Sequence, residues 1–201
     1  MGQDRGQDTF PAEGLTALLE RAASGEDSAW SELIQIYGRR VFALARSRLR
    51  SHDAAEEVTQ SVFVSIARKL TAGEYEESGR FEAWLFRVAM NRIRDEIRRR
   101  RRSMIDSNAH LPEPSHLPSP GSTDPEDFAP LRRALEELSD ADREIIELRH
   151  HGQLSFRQIA AMTGEPVGTL LARHHRALRK LKGLLEKSQR ENEWSLRDER
   201  A

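Results

Sequence analysis

The stretch from Ser103 to Pro130 limits what this chain can fold into more than any other. It carries Pro112, Pro114, Pro118, Pro120 and Pro125, with serine and glycine between them. Proline fixes φ and removes an amide donor, so this density cannot sustain a helix and an extended segment is expected. The segment therefore splits the chain into two folding units, one on each side. The sequence has 201 residues, 37% hydrophobic and 32% charged, a lean composition that suits two small domains rather than one large core.

Both flanks read as helix. Residues 1–14 are polar and expected to be disordered. Leu15, Leu18 and Leu19 open a short amphipathic helix ending near Ser24 and Gly25. Trp30, Leu33, Ile34, Tyr37, Val41, Leu44 and Ala45 recur at three- and four-residue steps, with Asp27 or Ser28 as the cap. Asp53 and Glu56 predict the cap of the next helix, where Val58, Val62, Ile66 and Leu70 form a stripe with Phe63 beside it. After a break at Gly73–Gly79, Phe81, Trp84, Leu85, Val88, Ala89 and Ile93 begin a third long helix. Beyond the linker, Leu131, Leu135 and Leu138 resume the helical period, and Ser139 with Asp142 starts a helix that ends at His151 and Gly152. Ser155 and Gln158 form a capping box for a short helix, Thr163 and Gly164 turn the chain, and Pro166 stands at the first position of a last helix. That helix carries the stripe Leu170, His174, Ala177, Leu181 and Leu184. No alternating strand pattern occurs, so the fold class is all-α.

The net charge of −1 hides segregation. Val88–Arg102 holds seven arginines against Asp95 and Glu96, a balance of +5. Thr169–Lys182 holds five Lys or Arg and no acid, also +5. Ser103–Phe128 holds five acids and no Lys or Arg. Two basic blocks separated by an acidic strip offer two seats for a polyanion, and solvated helix faces are the plainer alternative.

Residues 155–182 read as helix, tight turn and basic helix, the layout of a helix-turn-helix, against the plainer reading of a helical hairpin with a basic surface. If Leu170, Ala177 and Leu181 face inward, then Leu171, Ala172, His175 and Arg176 face outward. Leu171 and Ala172 are odd choices for water but suit thymine methyl groups. Arg176 suits a guanine edge or a phosphate, while Arg173, Arg179, Lys180, Lys182 and Arg157 suit phosphates. In the first unit, Phe81, Trp84 and Phe86 lie in sequence with Arg87, Asn91, Arg92, Arg94, Arg98 and Arg99. Aromatics beside cations suit unpaired bases, although Trp84 at this spacing equally suits a core. The loop Tyr75–Arg80 is a better place to catch a flipped base.

Four stretches together resemble the extracytoplasmic-function sigma factors, the smallest members of the sigma-70 family. "DAAEEVTQSVFVSIARKL" resembles their region 2.2, "FEAWLFRVAMNRIRDEIRRRRR" regions 2.3 and 2.4, "LEELSDADREIIELRH" region 4.1, and "LSFRQIAAMTGEPVGTLLARHHRALRKLK" region 4.2. The resemblance spans about residues 15–187. It implies a region 2-like helical bundle over residues 15–102, a flexible acidic linker over 103–130, a region 4-like helix-turn-helix over 131–187, and a charged extension over 188–201 around Trp194. It implies that Asp53, Glu56, Glu57, Gln60 and Phe63 dock on the coiled coil of the largest subunit of core RNA polymerase. It implies that Tyr75, Arg80, Arg87, Asn91, Arg92, Arg98 and Arg99 open and read the −10 element. Arg157, Thr169, Leu171, Ala172, Arg173, His175, Arg176 and Arg179 would then read the −35 element of promoter DNA. An anti-sigma factor is a partner of many such proteins. The family often has a basic residue and a serine where this chain has Leu171 and Ala172, and an acid where Arg157 stands.

Other classes fit less well. A stand-alone regulator would leave the region 2.2-like helix unexplained, and a helical adaptor would leave the paired basic blocks unexplained. An enzyme would need a site the sequence does not offer. Neighbouring Glu56 and Glu57, or the His150–His151 and His174–His175 pairs, point about 100° apart on a helix and chelate poorly. There is no phosphate-binding glycine loop, nucleophile elbow or cysteine. No cofactor and no metal are expected. No apolar run approaches the roughly 18 residues that span a bilayer, and Met1–Gly14 lacks a signal-peptide layout. The expectation is a cytoplasmic, non-enzymatic factor, monomeric when free.

Overall fold

The computed structural model describes residues 12–106 and 128–198, with side chains described over 14–103 and 128–190. The expected N-terminal tail and most of the expected linker lie outside the described residues. Eight helices are described: α1 (Ala12–Ala23), α2 (Asp27–Leu49), α3 (His52–Thr71), α4 (Phe81–Asp106), α5 (Ala129–Glu136), α6 (Asp140–His150), α7 (Phe156–Thr163) and α8 (Val167–Asp198). No strand occurs among the described residues. The chain divides into two compact units, the first carrying α1–α3 and α4 as far as Arg100, the second α5–α8.

In the first unit α1 buries Leu18, Leu19 and Ala22, and α2 buries Ala29, Leu33, Tyr37, Val41, Leu44, Ala45 and Leu49. Leu33, Tyr37, Val41, Leu44 and Ala45 are buried as expected, but Ala29 and Leu49 join the core while Trp30 is half-buried and Ile34 is 49% exposed. The α2 cap also differs. Glu26, not Asp27 or Ser28, is the extended residue before the helix, and its side chain makes no cap bond. Its carboxylate instead accepts from Arg21, 2.9 Å from Nε, and from the Ser28 hydroxyl. Those hydrogen bonds hold the carboxyl at about 2, well below the usual carboxylate range. Arg50 leaves α2 in the left-handed region at φ 57°. The α3 cap is Ser51, whose hydroxyl accepts from the Ala54 amide at 3.3 Å, and not Asp53. The expected stripe of Val58, Val62, Ile66 and Leu70 is buried.

α4 inserts Phe81, Ala83, Leu85, Phe86, Ala89, Met90 and Ile93 into the core. Its start is fixed against α2: the Tyr37 and Phe81 rings meet edge-on at 5.5 Å, and Arg40 is paired with Glu82 at 2.8 Å. The Arg40 guanidinium also lies 5.1 Å from the centre of the Phe86 ring, a cation–π contact.

In the second unit α5 begins with Pro130 in its first turn, where a missing amide costs nothing. Ser139 accepts from the Asp142 amide at 3.2 Å and starts α6, as expected. The core joins Ala134, Leu138, Ile146, Ala177 and Leu181, flanked by Leu131, Leu135, Leu184 and Leu185. Glu147 of α6 is fully buried and is paired with Arg143 at 2.8 Å. α7 has the full capping box of Ser155 and Gln158, and ends on Gly164 at φ 79°, a conformation that favours glycine. Pro166 stands one place before its expected position: its carbonyl accepts from Leu170 at 3.1 Å, so it flanks α8 rather than opening it. α8 continues to Asp198, so the charged extension is helical up to that residue. The Trp194 side chain lies outside the described ones.

His174 lies on the inner edge of α8. Its ring stacks on His150 of α6 at 5.6 Å and meets Phe156 of α7 edge-on at 5.3 Å. Nε2 is buried without a hydrogen-bond partner among the described residues. Burial, then the charges of His150, Arg149 and His175, push its pKa below the ordinary 6.5. The unfolded chain therefore binds more protons than the folded one once pH falls through about 6.5, so stability is lost on the acid side. Urea unfolding followed by circular dichroism at about pH 7 and about pH 5.5 should show a lower midpoint at the acid pH. His174→Leu should flatten much of that difference. Separately, Ser155→Ala should cost about 0.5–2 kcal/mol of stability in the same assay through loss of the cap.

Candidate nucleic-acid interface

Three exposed surfaces arise from these helices. The first is on α3, where one amphipathic helix buries Val58 and Val62 and turns Asp53, Glu56, Glu57 and Gln60 outward. Phe63 is partly buried at the edge of this face. The structure adds Ile34 and Val64, which are 49% and 51% exposed. Gly38 of α2 lies between Ile34 and Phe63; a β-carbon placed on it would sit 3.5 Å from Ile34 Cγ2 and 4.0 Å from Phe63 Cε2. The face thus combines acids with an exposed apolar ridge. Spacing did not mark Ile34 as a surface residue, because it fits the α2 core stripe, yet it is exposed.

The second surface is the loop before α4 and the outer side of α4. Tyr75 stacks on Trp84 at 4.2 Å with the rings 21° apart, and meets Phe81 edge-on at 5.8 Å. The Tyr75 hydroxyl donates to Glu77 at 2.7 Å. Burial first, then that bond, pushes the phenol upward, so it stays a neutral donor. The Glu77 carboxylate also accepts from the backbone amides of Gly79 and of Arg80, the latter at 3.0 Å. The loop is thereby held against the start of α4. Trp84 anchors it while remaining partly exposed, whereas Phe81 and Phe86 are core.

Along α4, Arg87, Asn91, Arg92, Arg98 and Arg99 are all exposed, and Arg80 is exposed just before the helix. They are not equally available. Arg92 donates to the Ser65 hydroxyl at 2.7 Å. Arg98 lies 3.6 Å from Asp95. Arg99 and Arg100 both grip Glu96, at 2.7 Å each, and Arg99 also lies 3.6 Å from Glu57 on α3. Glu96 is only 8% exposed. Burial pushes its carboxyl up, but the hydrogen bonds from Arg99 and Arg100 outweigh this and hold it below the usual range.

The third surface is α7–α8. Arg157, Thr169, Leu171, Ala172, His175, Arg176 and Arg179 are exposed, opposite the buried Leu170, Ala177 and Leu181. Arg173 differs. Its guanidinium makes a two-pronged ion pair with Glu165 in the turn, at 2.7 and 2.6 Å. Hydrogen bonding to Arg173, against some burial, holds the Glu165 carboxyl below its usual range. Lys180 donates to the Glu137 carbonyl at 3.0 Å. Sequence spacing did not pair Glu165 with Arg173, because residues eight apart meet only through the turn. The arrangement is that of a helix-turn-helix with a basic outer helix, able to enter a major groove.

The chain matches Sigma-70 region 2 over residues 33–103 and Sigma-70, region 4 over residues 128–181. It is 33% identical over 172 residues to RNA polymerase sigma factor CarQ of Myxococcus xanthus, covering 83% of this chain and 95% of that protein. It is 30% identical over 187 residues to ECF RNA polymerase sigma factor SigE of Mycolicibacterium smegmatis, covering 88% of this chain and 70% of that protein. Among solved structures it is similar to CnrH, in complex with the cytosolic domain of CnrY, with a TM-score of 0.65 and 27% identity over 85% of this chain and 96% of that one. It is also similar to the sigma factor RpoE of Bartonella quintana, in complex with the anti-sigma factor NepR, with a TM-score of 0.62 and 28% identity over 78% and 96%. The region 2-like and region 4-like units, in that order in one chain, place it: the protein belongs to the sigma-70 family of RNA polymerase sigma factors, in the extracytoplasmic-function subfamily of non-enzymatic initiation factors.

Proposed function

We propose that this chain binds core RNA polymerase and directs it to promoters, melting DNA and starting transcription as a sigma factor. The observation that carries the reading is the combination in one chain of an acidic and apolar α3 face, a basic α4 with an aromatic loop, and a basic helix-turn-helix. Each surface suits a different partner. The α3 face, with Asp53, Glu56, Glu57, Gln60 and Phe63, takes the polymerase coiled coil. The loop at Tyr75 and the α4 side with Arg80, Arg87, Asn91, Arg92, Arg98 and Arg99 take the −10 element. The α8 face takes the −35 element, with Arg157 holding the phosphate backbone and Arg173 bracing the turn through Glu165.

The domain limits that go with this reading are residues 15–102, 103–130 and 131–187. No helix among the described residues is long and apolar enough to cross a membrane, which agrees with a factor that works in the cytoplasm beside polymerase. An anti-sigma factor is a natural further partner, since the similar RpoE was solved with one.

Run-off transcription with purified core polymerase on genomic fragments tests the whole proposal. New transcripts sharing two upstream elements are expected only when the chain is added. Promoter binding without polymerase would favour a stand-alone regulator instead. Phe63→Ala should weaken capture of core polymerase by more than about 1 kcal/mol in a pull-down titration, with the helical content kept. Arg176→Ala should cost about 1–3 kcal/mol on the −35 element if it reads a base. An equal loss on scrambled duplex would assign it to a phosphate, and the salt slope of binding would then fall by about one.

A further inference from the structure

We propose that α8 reads its −35 element chiefly through thymine methyl groups, with Leu171 and Ala172 as the contacting side chains and Gly168 as the point of closest approach. The inference rests on the sigma reading above and deepens it, naming the base chemistry the helix selects. At 3.6 residues per turn, Gly168, Leu171, Ala172 and His175 share an arc of about 100°. All four are exposed, and Leu171 is 47% exposed. The opposite side of the helix is the buried line of Leu170, Ala177 and Leu181.

Leu171 and Ala172 have no hydrogen-bonding group. They cannot make the bidentate contacts by which Arg reads guanine or Asn and Gln read adenine. In the major groove the C5-methyl of thymine is what an apolar side chain can grip. Leu171 gains by leaving water only if such a group meets it.

Gly168 is the second observation. It is helical, without a positive φ, and a β-carbon added to it would meet nothing within 4 Å. Neither the backbone nor internal packing demands glycine there, although glycine weakens a helix. A bare backbone at this point lets the helix sink toward the groove floor, which brings the short Ala172 within reach of a base. The charge pattern fits the same occupant. Arg157 on α7 and Arg176 and Arg179 on α8 are exposed around the apolar patch, where phosphates would flank the bases. Arg173 is turned into its pair with Glu165 and leaves the reading face to these residues.

The test uses holoenzyme assembled from core polymerase and the full chain, on a promoter found by run-off transcription. Each thymine of the upstream element is replaced in turn by deoxyuridine, which removes the methyl group and nothing else. Binding should fall about fourfold at one or two positions, the worth of one buried methyl, with an unchanged salt slope. Leu171→Ser should erase the thymine–deoxyuridine difference at its position, with an unchanged thermal melt. Full affinity for every deoxyuridine promoter, or an upstream element without thymine, would overturn the methyl readout and leave the sigma reading standing. Failure of the holoenzyme to initiate at any promoter would sink the sigma reading, and this inference with it.

Discussion

α4 has to satisfy two demands that pull against each other. Its C-terminal half is crowded with arginines, whose charge cannot be taken out of water without a partner. Its N-terminal half must stay docked, because the Tyr75 loop is packed against it. The helical period resolves the conflict. Phe81, Leu85, Phe86, Ala89, Met90 and Ile93 fall on one side and are buried, each large side chain contributing about 1.5–3 kcal/mol. Arg87, Asn91 and Arg98 fall on the other, while Arg92 and Arg99 lie at the edge that meets Ser65 and Glu57 of α3. If the stripe slipped, the arginines would enter the core and the loop stacked on Trp84 would lose its anchor. The core of the first unit and its candidate DNA surface are therefore two sides of one helix.

The same logic shows why much of the fold was legible in the sequence. Apolar stripes are set by the period of the helix, and Val58, Val62, Ile66 and Leu70 on α3, or Leu170, Ala177 and Leu181 on α8, are buried where spacing placed them. The capping box at Ser155 and Gln158 was legible for a similar reason, since both its bonds are local. Caps chosen between nearby candidates were not. Asp27, Ser28 and Asp53 all have suitable side chains, but the chain enters α2 at Glu26 and α3 at Ser51. At Glu26 the decisive partner is Arg21, across the turn from α1, and no local rule anticipates it.

Charge partners were the least legible part of the candidate sites. Arg99 and Arg173 were expected as DNA contacts from their place in basic blocks. Glu96 and Glu165 hold them instead, Glu96 counted only as a unit of charge in the block and Glu165 lying outside the block that was counted. Counting charge along the sequence thus overstates what α4 and α8 offer a polyanion. Glu147 makes the complementary point. Its carboxylate is fully buried, and the ion pair with Arg143 offsets that burial.

The two pairs on Arg99 differ in what they imply for DNA. Glu57 and Arg99 are 70% and 62% exposed in their side chains, and such a surface pair is worth little and is screened by salt. Exchanging Glu57 for a phosphate would cost almost nothing, so this contact does not remove Arg99 from the proposed −10 face. Glu96 is different. It is 8% exposed and depends on Arg99 and Arg100 together. Were both arginines to leave, a nearly buried carboxylate would stand unpaired, which is strongly unfavourable. On the proposed −10 face, Arg99 could therefore turn away while Arg100 keeps Glu96 paired. The doubled grip on one acid would let this helix meet a phosphate, as proposed, without leaving Glu96 unpaired.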